Sequence, residues 1–290
     1  MSTSDKPTLA FFGATGGCAL ATLALAIQSN HTCTALMRNP SKLTSLLLST
    51  HNVPQSTIST YLTIIPGDVK DLSAVKKALV VPNTPALDDR ENTVGHDERT
   101  VDIIISGIGG TSGRLTWNPL RPITLTDPTI CADATRTIVA ALTALQQSHK
   151  AAAKKLATKT PLMLVISTTG LHKTPKRDVP LLLFPLYRWL LAGPHEDKEV
   201  MEDTLFAAAA NSGSDATTPI RGAISVRPTL LTNGERVGRE RLRVGVEGAP
   251  ALGYTVARAD VGAWIFEEVV QGLGEEGRGR WVGERVTLTY

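Results

Sequence analysis

Short unbroken apolar runs alternate along the chain with longer stretches of helical period. Thr8-Leu9-Ala10-Phe11-Phe12, Ile103-Ile104-Ile105 after Asp102, and Leu162-Met163-Leu164-Val165-Ile166 are apolar at successive positions. Runs of that length without polar alternation fit parallel strands buried on both faces. Residues 31–37, 61–69 and 222–228 read as further strands, and residues 281–288 as a closing one. Between them lie an Ala/Leu-rich helix ending near Gln28, a helix over 71–79, and a long one over 128–150 capped by Asp127 ahead of Pro128. Two more follow, one over 193–203 and one over 259–271 capped near 258–260. Strand then helix, repeated, predicts an α/β fold: a doubly wound parallel sheet with right-handed crossovers. Residues 49–60 read as a polar loop, and residues 81–100, rich in Pro, Asn, Asp and Glu, as an exposed insertion. Beyond residue 170 the alternation loosens, with a hairpin-like Gly/Arg/Glu section after 228. Residues 1–170 therefore form the core, and residues 171–290 a small C-terminal part that completes the same single domain.

With 290 residues, 42% apolar and 20% charged, the chain has the profile of a soluble globular protein with a substantial core. A formal net charge of +3, with no basic run and few aromatics, gives no reason to expect nucleic acid as a partner. Cys18, Cys33 and Cys131 are odd in number and lack metal spacing, as do the scattered histidines, so reduced thiols in the cytoplasm and no metal are expected. Residues 1–7 are polar and show no signal-peptide core. Residues 179–192 are the most apolar segment, but they are short and contain Pro180, Pro185 and Arg188, below spanning length. They read as a buried or pocket-lining stretch. A monomer or homodimer acting on a small molecule is the expected state.

Candidate chemistry begins at Phe12-Gly13-Ala14-Thr15-Gly16-Gly17, a glycine-rich turn between the first strand and helix. Gly13 allows a tight turn, Gly16 lets backbone approach a pyrophosphate, and the amides of Thr15, Gly16 and Gly17 sit at a helix start that favours an anion. At the end of the second strand, an NAD-specific site would hold a carboxylate for the ribose 2′-OH. This chain has Arg38 there, with Lys42 close behind. Two cations at a helix start oppose the helix dipole, and a bound 2′-phosphate explains them, so NADP(H) is the expected cofactor. Asp68 ends the third strand, placed to accept from an adenine amino group with Val69 packing on the ring; it is equally placed to cap the next helix, as is Asp71. Ser106 and Gly107 end the fourth strand, near the expected nicotinamide ribose.

Together these pieces resemble the atypical short-chain dehydrogenase/reductase superfamily, in its NAD(P)H-binding, NmrA-like group with biliverdin/flavin reductase-type enzymes and biosynthetic oxidoreductases of filamentous fungi. Arg38-Asn39-Pro40-Ser41-Lys42, Gly67-Asp68-Val69, Ser167-Thr168-Thr169-Gly170, His195 to Glu202, Val226-Arg227-Pro228 and Arg258-Ala259-Asp260-Val261 carry the rest of the likeness. The resemblance implies a Rossmann-like fold and an NADP(H)-dependent oxidoreductase. One departure is plain. The superfamily's Tyr-x-x-x-Lys acid/base pair is absent: Tyr61, Tyr187 and Tyr254 are followed four positions on by Ile65, Leu191 and Arg258, and Tyr290 ends the sequence.

The resemblance implies that a lysine of the 193–203 helix faces the nicotinamide ribose, which selects Lys198. His195, Lys198 and Glu202 have helical spacing that puts them on one face, with His195 suited to proton delivery near neutral pH. A solvated face with a Lys198–Glu202 pair is the bland alternative. Ser167 and Thr168 end the fifth strand, where the superfamily holds a substrate carbonyl, although local turn bonding serves such residues equally. Tyr187 is a substitute acid if its segment covers the nicotinamide. Trp117, Phe184, Tyr187 and Trp189 are candidates for stacking on a flat substrate, or for simple burial. The leading expectation is an NADP(H)-dependent reductase of a carbonyl, enone or quinone-like substrate, aromatic or polyketide-like in character. A redox-neutral isomerase or cyclase that retains the cofactor, and a non-catalytic NADP-sensing regulator, are the alternatives.

Overall fold

In a computed structural model, residues 6–82, 98–110, 114–115, 123–124, 126–151, 160–171, 176–181, 189, 191–210, 218–273 and 279–290 are described. The main sheet has eight strands: β1 (Leu9–Phe12), β2 (Cys33–Met37), β3 (Leu62–Pro66), β4 (Ile103–Ser106), β5 (Leu162–Ile166), β6 (Gly222–Pro228), β7 (Arg243–Val246) and β8 (Arg285–Thr289). Their order across the sheet is β7-β8-β6-β5-β4-β1-β2-β3, and every neighbour pair is parallel except β7 with β8. This is the doubly wound, Rossmann-like α/β arrangement. The order reverses between β1 and β4, which opens a crevice beyond their C-terminal ends.

The helices are α1 (Gly17–Gln28), α2 (Pro40–His51), α3 (Gln55–Tyr61), α4 (Leu72–Ala78), α5 (Ile130–Ala151), α6 (Ala192–Ala210) and α7 (Arg258–Trp264), the last running on as a π-helical turn over Ile265–Val270. The sheet's side chains alternate between two cores. Leu9, Phe11, Ile103, Ile105 and Leu164 meet α1 and α7 on one face, while Ala10, Phe12, Ile104, Met163 and Val165 meet α4, α5 and α6 on the other. Both faces being covered explains why these strands read as unbroken apolar runs.

Several elements depart from the sequence expectation. The polar stretch 49–60 is largely helical, because α2 continues to His51 and α3 fills Gln55–Tyr61. Val80–Pro82 and Glu98–Thr100 form an antiparallel ribbon at the ends of the expected insertion, whose residues 83–97 lie outside the described residues. The hairpin-like section yields β7, but its partner is the last strand β8 rather than a local neighbour. Trp281 precedes the closing strand and packs on Trp264, with ring centroids 5.3 Å apart. Among the described residues no helix is long and apolar enough to cross a membrane, and no group of three or more His, Cys, Asp or Glu is placed to hold a metal. All three cysteines are free and buried.

Candidate functional site

Strand register aligns the predicted positions along one edge. Phe12 is level with Leu36 and Ser106, and Ser106 with Val165, so Gly13, Arg38, Gly107 and Ser167 all emerge at the C-terminal side. Gly13 has φ +70°, and a Cβ there would sit 2.8 Å from the Gly107 carbonyl carbon, so only glycine fits. Gly107 N–H donates to Phe12 O at 2.8 Å, which draws the ends of β4 and β1 together. The Gly16 N–H is used inside the turn, on Gly13 O at 3.0 Å. This corrects the expectation that all three amides serve an anion. α1 has no side-chain cap and no acid in its first turn, so its positive end is left for an external anion.

Arg38 follows β2 and is exposed, as is Lys42 in the first turn of α2, where Asn39 caps the helix by accepting from Lys42 N–H. Among the described residues no carboxylate pairs with either cation, and α2 has no acid in its first turn. Asp71 is the cap of α4, accepting from Ser73 N–H at 2.8 Å, while Asp68 turns one oxygen onto Lys70 N–H at 2.9 Å. Val69 packs at the rim of the core, and Ser106 is buried.

A cavity of about 160 Å³ lies at the ends of β4 and β5, lined by Gly110, Cys131, Thr168, Leu191, Pro194, His195, Asp197 and Lys198. Thus Lys198, His195 and Thr168 come together around one space. The Lys198 ammonium donates to Ile166 O at 2.7 Å and to Ile108 O at 3.0 Å, across the gap between β5 and β4. It makes no ion pair with a carboxylate among the described residues, so its charge is hydrogen-bonded but not neutralised. The Lys198–Glu202 pair of the bland alternative does not form, since Glu202 is bonded to Ser225, Arg227 and Arg285. Four positions before Lys198, where the superfamily pair would have its tyrosine, stands Pro194, on the cavity wall.

α6 is held by buried polar contacts rather than by an apolar stripe. Asp197 accepts from Cys131 N–H and Ala132 N–H, both at 2.9 Å, and so caps α5 from the neighbouring helix. Glu202 accepts from Ser225 Oγ at 2.7 Å, Arg227 Nε at 3.0 Å and Arg285 Nε at 3.2 Å. Glu247 joins the same two arginines, each at 3.2 Å. Burial pushes the Glu202 carboxyl up, but hydrogen bonds and charge from Arg227, with help from Ser225, outweigh it and hold the group below its ordinary value. Ser167 is buried at the strand end rather than lining the cavity, and its hydroxyl has no hydrogen-bond partner among the described residues. Asp178, also buried, accepts from Gly170 N–H at 3.0 Å, and burial raises its carboxyl.

Trp189 is 50% exposed, and Trp117, Phe184 and Tyr187 lie outside the described residues. Sequence reasoning missed the cap made by Asp197, the Glu202–Arg227–Glu247–Arg285 cluster and the lining residues Gly110 and Cys131. An arginine inside the apolar run of β6 was the one available signal of a buried acidic partner.

Sheet order and the strand-end glycine turn together define a Rossmann-like α/β fold. No family model matches the chain. Among curated proteins it is 42% identical to the reductase pytE of Aspergillus terreus over 290 residues, 99% of each chain. It is 40% identical to the oxidase pynE of Aspergillus niger over 293 residues, covering 98% of this chain and 99% of the other. A short-chain dehydrogenase/reductase of Veillonella parvula, solved in complex with NADP, shares the fold at TM-score 0.59 and 14% identity, with 98% and 94% of the two chains covered. The anaerobillin reductase ChuY of Escherichia coli O157:H7 does so at TM-score 0.56 and 18% identity, covering 98% and 97%. The chain belongs to the same family as these two fungal proteins, a reductase and an oxidase.

Proposed function

We propose that the protein is an NADP(H)-dependent reductase of a small carbonyl, enone or quinone-like substrate, aromatic or polyketide-like in character. The observation that carries this reading is the Lys198 ammonium, fixed by two strand-end carbonyls beside a cavity on the same sheet edge as the glycine turn. The residues present suit the cofactor: an uncapped helix start behind Gly13 for the pyrophosphate, Arg38 and Lys42 for a 2′-phosphate, and Asp68 with Val69 for adenine. When bound, NADPH supplies a hydride from its nicotinamide. Lys198 has three N–H donors: two go to backbone carbonyls and the third meets only the Met201 sulfur at 4.0 Å, a weak acceptor that a ribose hydroxyl or the oxygen that gains charge would displace. His195, on the same wall, is placed to pass a proton, and Thr168 presents a hydroxyl at the strand end. The pairing of a reductase and an oxidase as relatives suits a site that moves hydride in a direction set by its substrate.

The test is NADPH consumption by the purified protein with quinones, flavins, enones and aromatic ketones. Consumption matched by reduced acceptor is expected, and none with any acceptor would remove the reading. The cofactor choice has its own check. Arg38→Glu should weaken NADPH binding by about tenfold or more while leaving NADH nearly unchanged, since a 2′-phosphate loses a charge-assisted contact and meets repulsion. Equal losses for both cofactors would contradict it.

A further inference from the structure

We propose that Arg258 is a ligand of the cofactor's pyrophosphate, reaching it from the distant C-terminal part of the chain; this rests on the cofactor reading above. Arg258 opens α7, which packs along α1, and its side chain lies across the glycine turn. A Cβ built on Gly17 would stand 2.5 Å from Arg258 Cδ, so the glycine leaves room for that stem as much as for a ligand. The guanidinium is tethered through one nitrogen, which donates to Leu231 O at 3.2 Å and to Asn233 Oδ1 at 2.7 Å. Both acceptors are neutral. Asp260, the nearest acid in its own helix, is already taken by Val237 N–H, Gly238 N–H and the Tyr290 hydroxyl. Among the described residues no carboxylate pairs with Arg258, so a guanidinium whose charge is not neutralised is carried on a stem that lies over Gly17 at the first turn of α1.

The chemistry of that turn points the same way. Cys18 sits in it, and although burial pushes its thiol up to about 12, it feels the opposing charges of both Arg258 and Lys198. A diphosphate bridge at this turn would accept from a guanidinium at two oxygens. The tether to Leu231 and Asn233 also ties cofactor binding to the segment after β6.

The experiment measures dissociation constants of NADPH, NADH and 2′-AMP for wild type, Arg258→Met and Arg258→Lys, beside melting temperatures without ligand. Met keeps the stem over Gly17 and removes the charge. The expected result is a rise of about tenfold or more for NADPH and NADH alike, the size of one charge-assisted contact. The affinity for 2′-AMP, which has no pyrophosphate, should stay unchanged, and Lys should recover part of the loss. Unchanged dinucleotide affinity would overturn the proposal, and so would a loss confined to NADPH and 2′-AMP, which would assign Arg258 to the 2′-phosphate. Loss of all three ligands with a lowered ligand-free melting temperature would mark it as a strut for the 231–233 segment. Wild type binding neither dinucleotide would remove the cofactor reading along with it.

Discussion

Lys198→Met is expected to lower kcat by about 10²–10³-fold while the melting temperature stays within a few degrees of wild type. In the proposed reading the ammonium acts where charge develops, at the ends of β4 and β5, and its two short contacts are to backbone carbonyls at the cavity edge. Met has a similar length and keeps the stem packed, so the sheet retains its support. The carbonyls of Ile108 and Ile166 then open to the cavity, where water replaces the lost donor. The affinity for cofactor should fall much less than kcat, because pyrophosphate and adenine contacts lie elsewhere. Unchanged kinetics in the variant would take Lys198 out of the chemistry.

The second large effect concerns stability. Arg227→Met should cost about 3–5 kcal/mol, a drop of roughly ten degrees in melting temperature. Arg227 and Glu202 expose only 5% and 3% of their side chains, with a shortest contact of 2.5 Å. Removing the arginine leaves Glu202 buried with Arg285 as its remaining cation, and that partner is 25% exposed. The acid side of this cluster also sets a pH dependence. Glu202 is held below its ordinary value of 4.5, so its contribution is present above that value and is lost as pH falls through the depressed one. Wild type should therefore lose stability in acid more steeply than Glu202→Gln. Parallel acid profiles for the two proteins, or an Arg227→Met variant as stable as wild type, would contradict the role given to the cluster.

The central strands were legible because burial on both faces leaves no polar residue to interrupt them, as in Ile103-Ile104-Ile105. The glycine turn was legible for a related reason: Gly13 answers a backbone requirement that no other residue meets. α3 was hidden because only Ile58 of its seven residues is buried, too little to show a period. α6 was found by its chemistry, not by its hydropathy. Its buried face carries His195, Asp197 and Glu202 beside Met201 and Leu205, and polar residues satisfied by distant partners leave no amphipathic trace. Those partners, Cys131 and Ala132 for Asp197 and Arg227 for Glu202, are set by topology and not by spacing. Arg258 was visible within a familiar stretch of sequence, but its position over Gly17 follows only from α7 lying against α1.

The most direct measurement uses NADPH carrying deuterium at the transferable C4 position, with any acceptor that the protein converts. Hydride transfer at this site predicts that the label leaves the cofactor and appears in the product, in equal amount to NADP⁺ formed. Product that forms while the label stays on intact NADPH would contradict a reductase and make the chemistry redox-neutral.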